Sequence, residues 1–295
     1  MRYVKRAIFT LLALLMVGAG VLYGLAQRQL GKPYELIRRW VELPSDSAAI
    51  ARGAHLAGAI GKCGECHGDD LGGKIVVDDP MLGRLSGPNL TRGRGGVGAS
   101  RSDADLATAI RHGVGVNGRT LVFMPSEDYT HFSDADLRDL LAYVRSRPPV
   151  DREIPARRLG PIGVALIATD KFMLPARKID HGAIPSDSIL PGATAEYGAY
   201  LANVGGCTGC HNPSLSGGPV VGAPRGTPPA ANLTPGGRVW SLEAFTMAMR
   251  DGIRPGGTPI NPSMPVQYTK LMTDQEIEAV WRYLVSLPAK TMGER

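Results

Sequence analysis

Cys63-Gly64-Glu65-Cys66-His67 stands in the first half of the chain, and Cys207-Thr208-Gly209-Cys210-His211 stands in the second. C-x-x-C-H is the attachment signature of c-type haem. Two intervening residues let both sulfurs reach one side of a porphyrin, to which they bond as thioethers. The histidine that follows is then carried beneath the iron as its proximal ligand. The two motifs use all four cysteines of the 295-residue chain, leaving none for a disulfide. Two other chemistries also use paired cysteines. A zinc knuckle gathers four ligands at one point, but these pairs lie 144 residues apart, and zinc gives no reason for a histidine after each pair. A redox dithiol leaves both histidines unexplained and lacks a strand-helix pattern around the motif. The expectation is two covalently bound haem c groups, one on Cys63, Cys66 and His67, the other on Cys207, Cys210 and His211.

Outward from each motif the same order of segments recurs. Asp46-Ser47 can cap a helix through 48–61 that runs into the first motif, and a helix over 195–204 runs into the second. Glycine- and proline-rich loops follow, 68–100 and 212–239. Ser102 and Ser241 then open helices ending near Gly113 and Gly252, and Met124-Pro125 and Met264-Pro265 sit in the loops beyond. Ser133-Asp134-Ala135-Asp136 and Thr273-Asp274-Gln275-Glu276, the latter a capping box, open closing helices that stop at Pro148 and Pro288. Asn89-Leu90-Thr91 matches Asn232-Leu233-Thr234, Arg111 matches Arg250, and Tyr143 matches Tyr283, at offsets of 139 to 144. This is a duplicated domain. The expected organisation is an anchor and juxtamembrane segment over 1–45, domains over 46–150 and 190–295, and a linker over 151–189. Ile162–Ile167 in the linker is too short to span a bilayer and is expected to pack between the domains or against the membrane surface.

Iron in such a site takes methionine, histidine or nothing opposite the proximal histidine. Met124 and Met264 hold equivalent places, 57 and 53 residues after their histidines. A thioether is a soft donor that favours iron(II), so these two are the expected distal ligands. His131, nearest the first methionine loop, is the rival. His55 is expected on the surface, His112 aligns with Asp251 and has no counterpart, and His181 lies in the linker.

The formal charge of +6 could suggest a polyanion partner. However, residues 1–40 hold seven basic side chains and one acidic, and the remainder holds 26 of each. The excess therefore flanks the apolar run Ala7–Ala26 and is a membrane feature. Twenty residues of helix span about 30 Å of hydrocarbon. A retained anchor with the haem domains on the periplasmic side is expected, and a signal peptide cleaved after Gly24-Leu25-Ala26 is the alternative. Residues 27–45, with Tyr34, Ile37, Arg38, Arg39 and Trp40, read equally as a juxtamembrane helix or a plain linker.

On C-G-E-C-H, C-T-G-C-H, the paired N-L-T and M-P motifs and the closing helices, residues 46–290 resemble membrane-associated dihaem cytochromes c built of two class I domains. They are especially similar to the cytochrome c subunits of bacterial alcohol, aldehyde and gluconate dehydrogenases. Those subunits commonly carry three haem motifs, and this chain carries two. The resemblance implies an all-α fold, two tandem class I cytochrome c domains after one transmembrane helix. It implies single-electron transfer between redox partner proteins or within a membrane complex of a respiratory or photosynthetic chain. No nucleic acid or small-molecule substrate is expected. The alternative is a dihaem enzyme of the peroxidase or thiosulfate-oxidising type, although the latter uses a cysteine ligand that is absent here.

Overall fold

The computed structural model describes residues 2–36, 42–220, 222–223, 226–237 and 240–295. In chain order the elements are α1 (Arg2–Leu30), α2 (Ser47–His55), a π-turn (Leu56–Ile60), α3 (Cys63–His67), β1 (Lys74–Asp79), β2 (Gly83–Gly87), α4 (Asp103–His112), α5 (Ser126–Tyr129), α6 (Asp134–Ser146), β3 (Arg158–Leu159), α7 (Pro161–Ala168), α8 (Ala195–Val204), α9 (Cys207–His211), α10 (Leu242–Asp251), α11 (Val266–Thr269) and α12 (Asp274–Ser286). They form two compact units. One holds Met1–Trp40, Cys66–Glu127 and Pro148–Ala183, and the other holds Val41–Glu65, Asp128–Arg147 and Ile184–Arg295.

In the first unit, α1 is exposed along its apolar length, and only its end is buried. Ala26 and Leu30 join Val122, Ile167 and Leu174 in a core on which Leu85, Leu159 and Val164 pack. Gln29 donates to the Ile167 carbonyl at 3.0 Å, and Arg119 donates to Gln27 at 2.6 Å. The Ile162–Ile167 segment is helix α7 (Pro161–Ala168), and its inner face lies on α1. The 27–45 reading is settled in part. Helix persists to Leu30, residues 32–36 are irregular, and Ile37, Arg38, Arg39 and Trp40 lie outside the described residues.

The fold is mostly helical, and the same unit adds a small sheet to it. The loop over 68–100 contains an antiparallel hairpin of β1 and β2, and β3 adds to β2, giving the order β1-β2-β3. The turn is set by Asp79, whose Oδ1 accepts from the amides of Met81 and Leu82 at 2.8 and 2.7 Å. Gly83 has φ +115°, and a Cβ there would stand 2.2 Å from the Arg158 carbonyl oxygen, so only glycine permits β3 to approach. The glycines that made this stretch read as loop are the ones that let the strands close.

In the second unit, α2 packs across α6 and α8 packs across α12. Each crossing is made at a glycine: a Cβ on Gly53 would lie 1.9 Å from the Asp139 carbonyl oxygen, and one on Gly198 would lie 1.9 Å from that of Ala279. From the crossing glycine to the first motif cysteine there are ten residues in the first copy and nine in the second. The additional residue is absorbed by the π-turn, closed by Gly61 N–H donating to Leu56 O at 2.7 Å, five residues back. Sequence periodicity alone reads this stretch as continuous α-helix to residue 61.

The four crossing helices also share a buried polar network. Arg52 donates to both oxygens of Asp136 at 3.2 Å and to the Tyr197 hydroxyl at 3.2 Å. Tyr200 donates to Asp136 at 2.6 Å, and His55 Nε2 meets Glu276 at 2.8 Å. His55 and Tyr200 are equivalent positions, as are Asp136 and Glu276. Each copy therefore reaches across to the other copy's carboxylate, the reciprocity of an isologous contact. His55, expected on the surface, is a half-buried partner of an acid instead. Burial and the Asp136 carboxylate raise the Tyr200 pKa. Burial also opposes the charge on Arg52, but its hydrogen bonds to Asp136 and Tyr197 outweigh this and hold the guanidinium firmly protonated.

Candidate haem sites

Each motif forms one short helical segment, α3 or α9, in which the cysteines at spacing three lie on one face and the histidine follows. No disulfide joins the cysteines. Burial pushes the thiols of Cys207 and Cys210 up, the reverse of the low-pKa thiolate that a redox dithiol needs. Among the described residues no group of three or more His, Cys, Asp or Glu side chains is placed to hold a metal ion, so the zinc reading has no ligand set either.

The histidines are oriented alike. His67 Nδ1 lies 2.9 Å from the Pro88 carbonyl oxygen, and His211 Nδ1 lies 2.8 Å from that of Ala231. A carbonyl only accepts, so Nδ1 carries the proton and Nε2 keeps its lone pair. Burial pulls both imidazoles below the ordinary histidine pKa, with the carbonyl contact opposing it, so both are neutral at pH 7. A neutral imidazole with its far nitrogen anchored is a metal ligand of fixed orientation. The residues present therefore fit haem c.

The N-L-T motifs, which sequence comparison marked only as repeated, support those carbonyls. Asn89 Nδ2 donates to Val150 O at 2.7 Å, and its Oδ1 accepts from the Thr91 amide and hydroxyl at 2.9 and 2.8 Å. Thr91 Oγ1 in turn accepts from Val150 N–H at 2.9 Å. Asn232 and Thr234 repeat these bonds on Lys290 at 2.7, 2.9, 2.8 and 3.1 Å. The motif thus clips the loop bearing Pro88 or Ala231 to the chain just past the closing helix. Asn89, Thr91 and Thr234 are buried, as is Asn232, so each unmade bond would cost a desolvated polar group. The carbonyl partner and the clip were not foreseen; the signal available was the proline or alanine directly before each N-L-T.

Met124 and Met264 occupy equivalent loops. Each helix before the loop ends on a left-handed glycine, Gly113 at φ +63° and Gly252 at φ +68°, whose carbonyls accept from Leu121 and Ile260 at 2.6 Å. Each methionine then accepts through its carbonyl at 2.8 Å from the residue two further on, Ser126 or Val266, which starts α5 or α11. Both methionines are half-buried. Of the other histidines, His55 pairs with Glu276. His112 Nδ1 meets His181 Nδ1 at 3.1 Å, and His181 Nε2 donates to Ala176 O at 2.9 Å. His131 is exposed.

Comparison with known proteins gives these observations a family. Residues 48–144 match the family described as cytochrome c oxidase, cbb3-type, subunit III, and residues 195–288 match that described as cytochrome c. The chain thus matches a cytochrome c family model in each half, and haem c and electron transfer belong to that class. More particularly, it is similar to the diheme cytochrome c-type of Cereibacter sphaeroides, 29% identical over 204 residues that make up 63% of this chain and 66% of that one. It is 32% identical over 210 residues to one of the subunits of the nicotinate dehydrogenase of Pseudomonas putida, covering 67% of this chain and 16% of that protein. It is also 33% identical over 102 residues to the cytochrome c subunit of the quinone alcohol dehydrogenase of Gluconobacter oxydans, covering 32% of this chain and 21% of that one. The chain thus spans about a fifth or less of the two dehydrogenase relatives and just under two thirds of the dihaem cytochrome.

Proposed function

We propose that this protein is a membrane-anchored dihaem cytochrome c that carries single electrons between redox partners, as a subunit of, or docking partner for, a membrane complex. Its domains are 46–150 and 190–295, joined by 151–189, each with one covalently held haem c. The observation that carries the reading is the doubled histidine geometry, with Nδ1 bound to a carbonyl and Nε2 left as donor in both halves. When bound, haem c supplies a one-electron iron couple. Cys63, Cys66, Cys207 and Cys210 tether it. His67 and His211 would be the proximal ligands, their basicity raised by donation to Pro88 and Ala231. Met124 and Met264 would be the distal ligands, and their soft sulfur would favour the reduced state. With protein ligands on both sides, no position would be left for substrate, which would distinguish a carrier from an enzyme.

Retention of α1 as an anchor, with the haem domains outside the cytoplasmic membrane, is supported by its length and by its end. Among the described residues it alone is long and apolar enough to cross a membrane, and Ala26 and Leu30 belong to the core of the first unit. The deciding experiment is carbon monoxide addition to the dithionite-reduced holoprotein at neutral pH. The expected result is an unchanged Soret band. A stoichiometric shift at either haem, or turnover of hydrogen peroxide, overturns the carrier reading and promotes the peroxidase-type one.

A further inference from the structure

Helix α7, Pro-Ile-Gly-Val-Ala-Leu-Ile-Ala over 161–168, has no polar side chain on any face, yet Ile167 is its sole buried residue. A helix apolar all round is stable where all of its faces are out of water. One face of α7 is covered by α1. The uncovered side does not stand alone. Ile162 N–H donates to Met81 O at 2.9 Å and Gly160 N–H donates to Leu82 O at 3.0 Å, which fixes the β1–β2 turn to the start of α7. Phe172 N–H donates to Leu166 O at 3.0 Å and fixes the segment after α7 to its end. The side chains so gathered are large, apolar and exposed: Met81 50%, Leu82 43%, Ile162 42%, Phe172 37% and Met173 43%.

What covers them follows from what α7 is packed on. Its partners Ala26 and Leu30 are the last turn of the helix whose apolar run ends at Ala26. At 1.5 Å per residue, Leu30 stands about 6 Å beyond that run, within the interfacial layer that adds roughly 5–7 Å to each leaflet. The patch is therefore continuous with α1 at the depth where the helix leaves the hydrocarbon. Exposed basic side chains flank it on both sides in sequence, Arg157 and Arg158 before and Lys171 after, the placement that lets apolar faces enter the acyl boundary while cations meet anionic headgroups. We propose that α7 and the β1–β2 turn form a second membrane contact, lying in the interface of the same phospholipid bilayer that α1 crosses. This rests on the retained-anchor reading above. It gives the linker a function: the first unit is held against the membrane surface rather than tethered to it by a free joint.

The test uses the purified full-length holoprotein in vesicles of phosphatidylethanolamine and phosphatidylglycerol, with no other protein present. Ile162→Cys, Met173→Cys and, as control, Ala99→Cys, an exposed loop position outside the patch, are reacted with a charged, membrane-impermeant maleimide after the two-haem spectrum of each variant is confirmed. Labelling at 162 and 173 is expected to be slower than at 99 by about tenfold or more, as for side chains held in the acyl boundary. Equal rates in protein that resists carbonate extraction overturn the second contact and leave the anchor standing. Protein released from the vesicles by carbonate overturns the anchor and the second contact together.

Discussion

Glu276 is the most connected carboxylate in the network, and neutralising it tests whether that network holds the duplicated copies together. Its side chain is 3% exposed. It accepts from His55 at 2.8 and 3.0 Å, from the Thr273 amide at 2.9 Å and from the Tyr197 hydroxyl at 3.4 Å, with Arg52 at 3.8 Å. Glu276→Gln keeps the volume but removes the charge and turns an acceptor into a donor facing other donors. Breaking a fully buried pair costs about 3–5 kcal/mol. Here His55 and Arg52 keep 26% and 24% exposure and can recover some hydration, so the expected loss is about 2–3 kcal/mol. At roughly 2–4 °C per kcal/mol for a protein of this size, the midpoint should fall by about 5–10 °C. The assay is thermal unfolding of the holoprotein followed by far-ultraviolet circular dichroism. Burial alone would raise the Glu276 pKa, but the bonds from His55 and Thr273 and the charge of Arg52 outweigh it, and the net direction is down. A lowered carboxylate stabilises the fold fully above the ordinary glutamate range, about 4.3, and that stability is lost as pH falls through the lower native value. The gap between wild type and Glu276→Gln should therefore be full at pH 7 and shrink as pH falls below about 4. A difference under about 0.5 kcal/mol at pH 7, the scatter of an ordinary surface substitution, would refute the reasoning, as would a gap that widens in acid.

Gly53→Ala and Gly198→Ala each place a methyl 1.9 Å from a backbone carbonyl oxygen, so each should cost about 3 kcal/mol by overpacking and lower the unfolding midpoint in denaturant. Asn89→Ala removes the clip on the Pro88 loop. Expect a loss of about 1–3 kcal/mol, together with a changed reduction potential at the first haem alone, read by potentiometric titration; Asn232→Ala should do the same at the second. Met124→His or Met264→His should lower the potential of its own haem by replacing a soft donor. If neither potential moved after Met124→His, His131 would become the candidate ligand. Cys63→Ala with Cys66→Ala should leave one haem per chain, counted by the pyridine haemochrome, because each half carries its own C-x-x-C-H motif.

The sequence alone determined what depends on covalent chemistry and short spacing. C-x-x-C-H states the cofactor class because thioether geometry permits few alternatives. The capping residues at Asp46, Ser102, Ser133, Ser241 and Thr273 place helix starts because a capping bond spans only three residues, and each appears in the structure. The duplication was legible because both copies must satisfy the same local constraints. Other features rest on partners distant along the chain. The β1–β2–β3 sheet was hidden because its glycines signal a loop until Arg158 is known to lie against Gly83. The π-turn follows from one additional residue between two fixed points, Gly53 and Cys63, whose fixity is itself tertiary. His55 read as a surface residue because its partner, Glu276, lies 221 positions away. The role of N-L-T depends on Val150 and Lys290, which meet it only after the closing helix returns. Local bonding rules could name the candidate ligands, but only the fold could bring the carbonyls to the histidines, the clips to those carbonyls and the carboxylates to their partners, because those contacts join residues whose separation in sequence carries no signal.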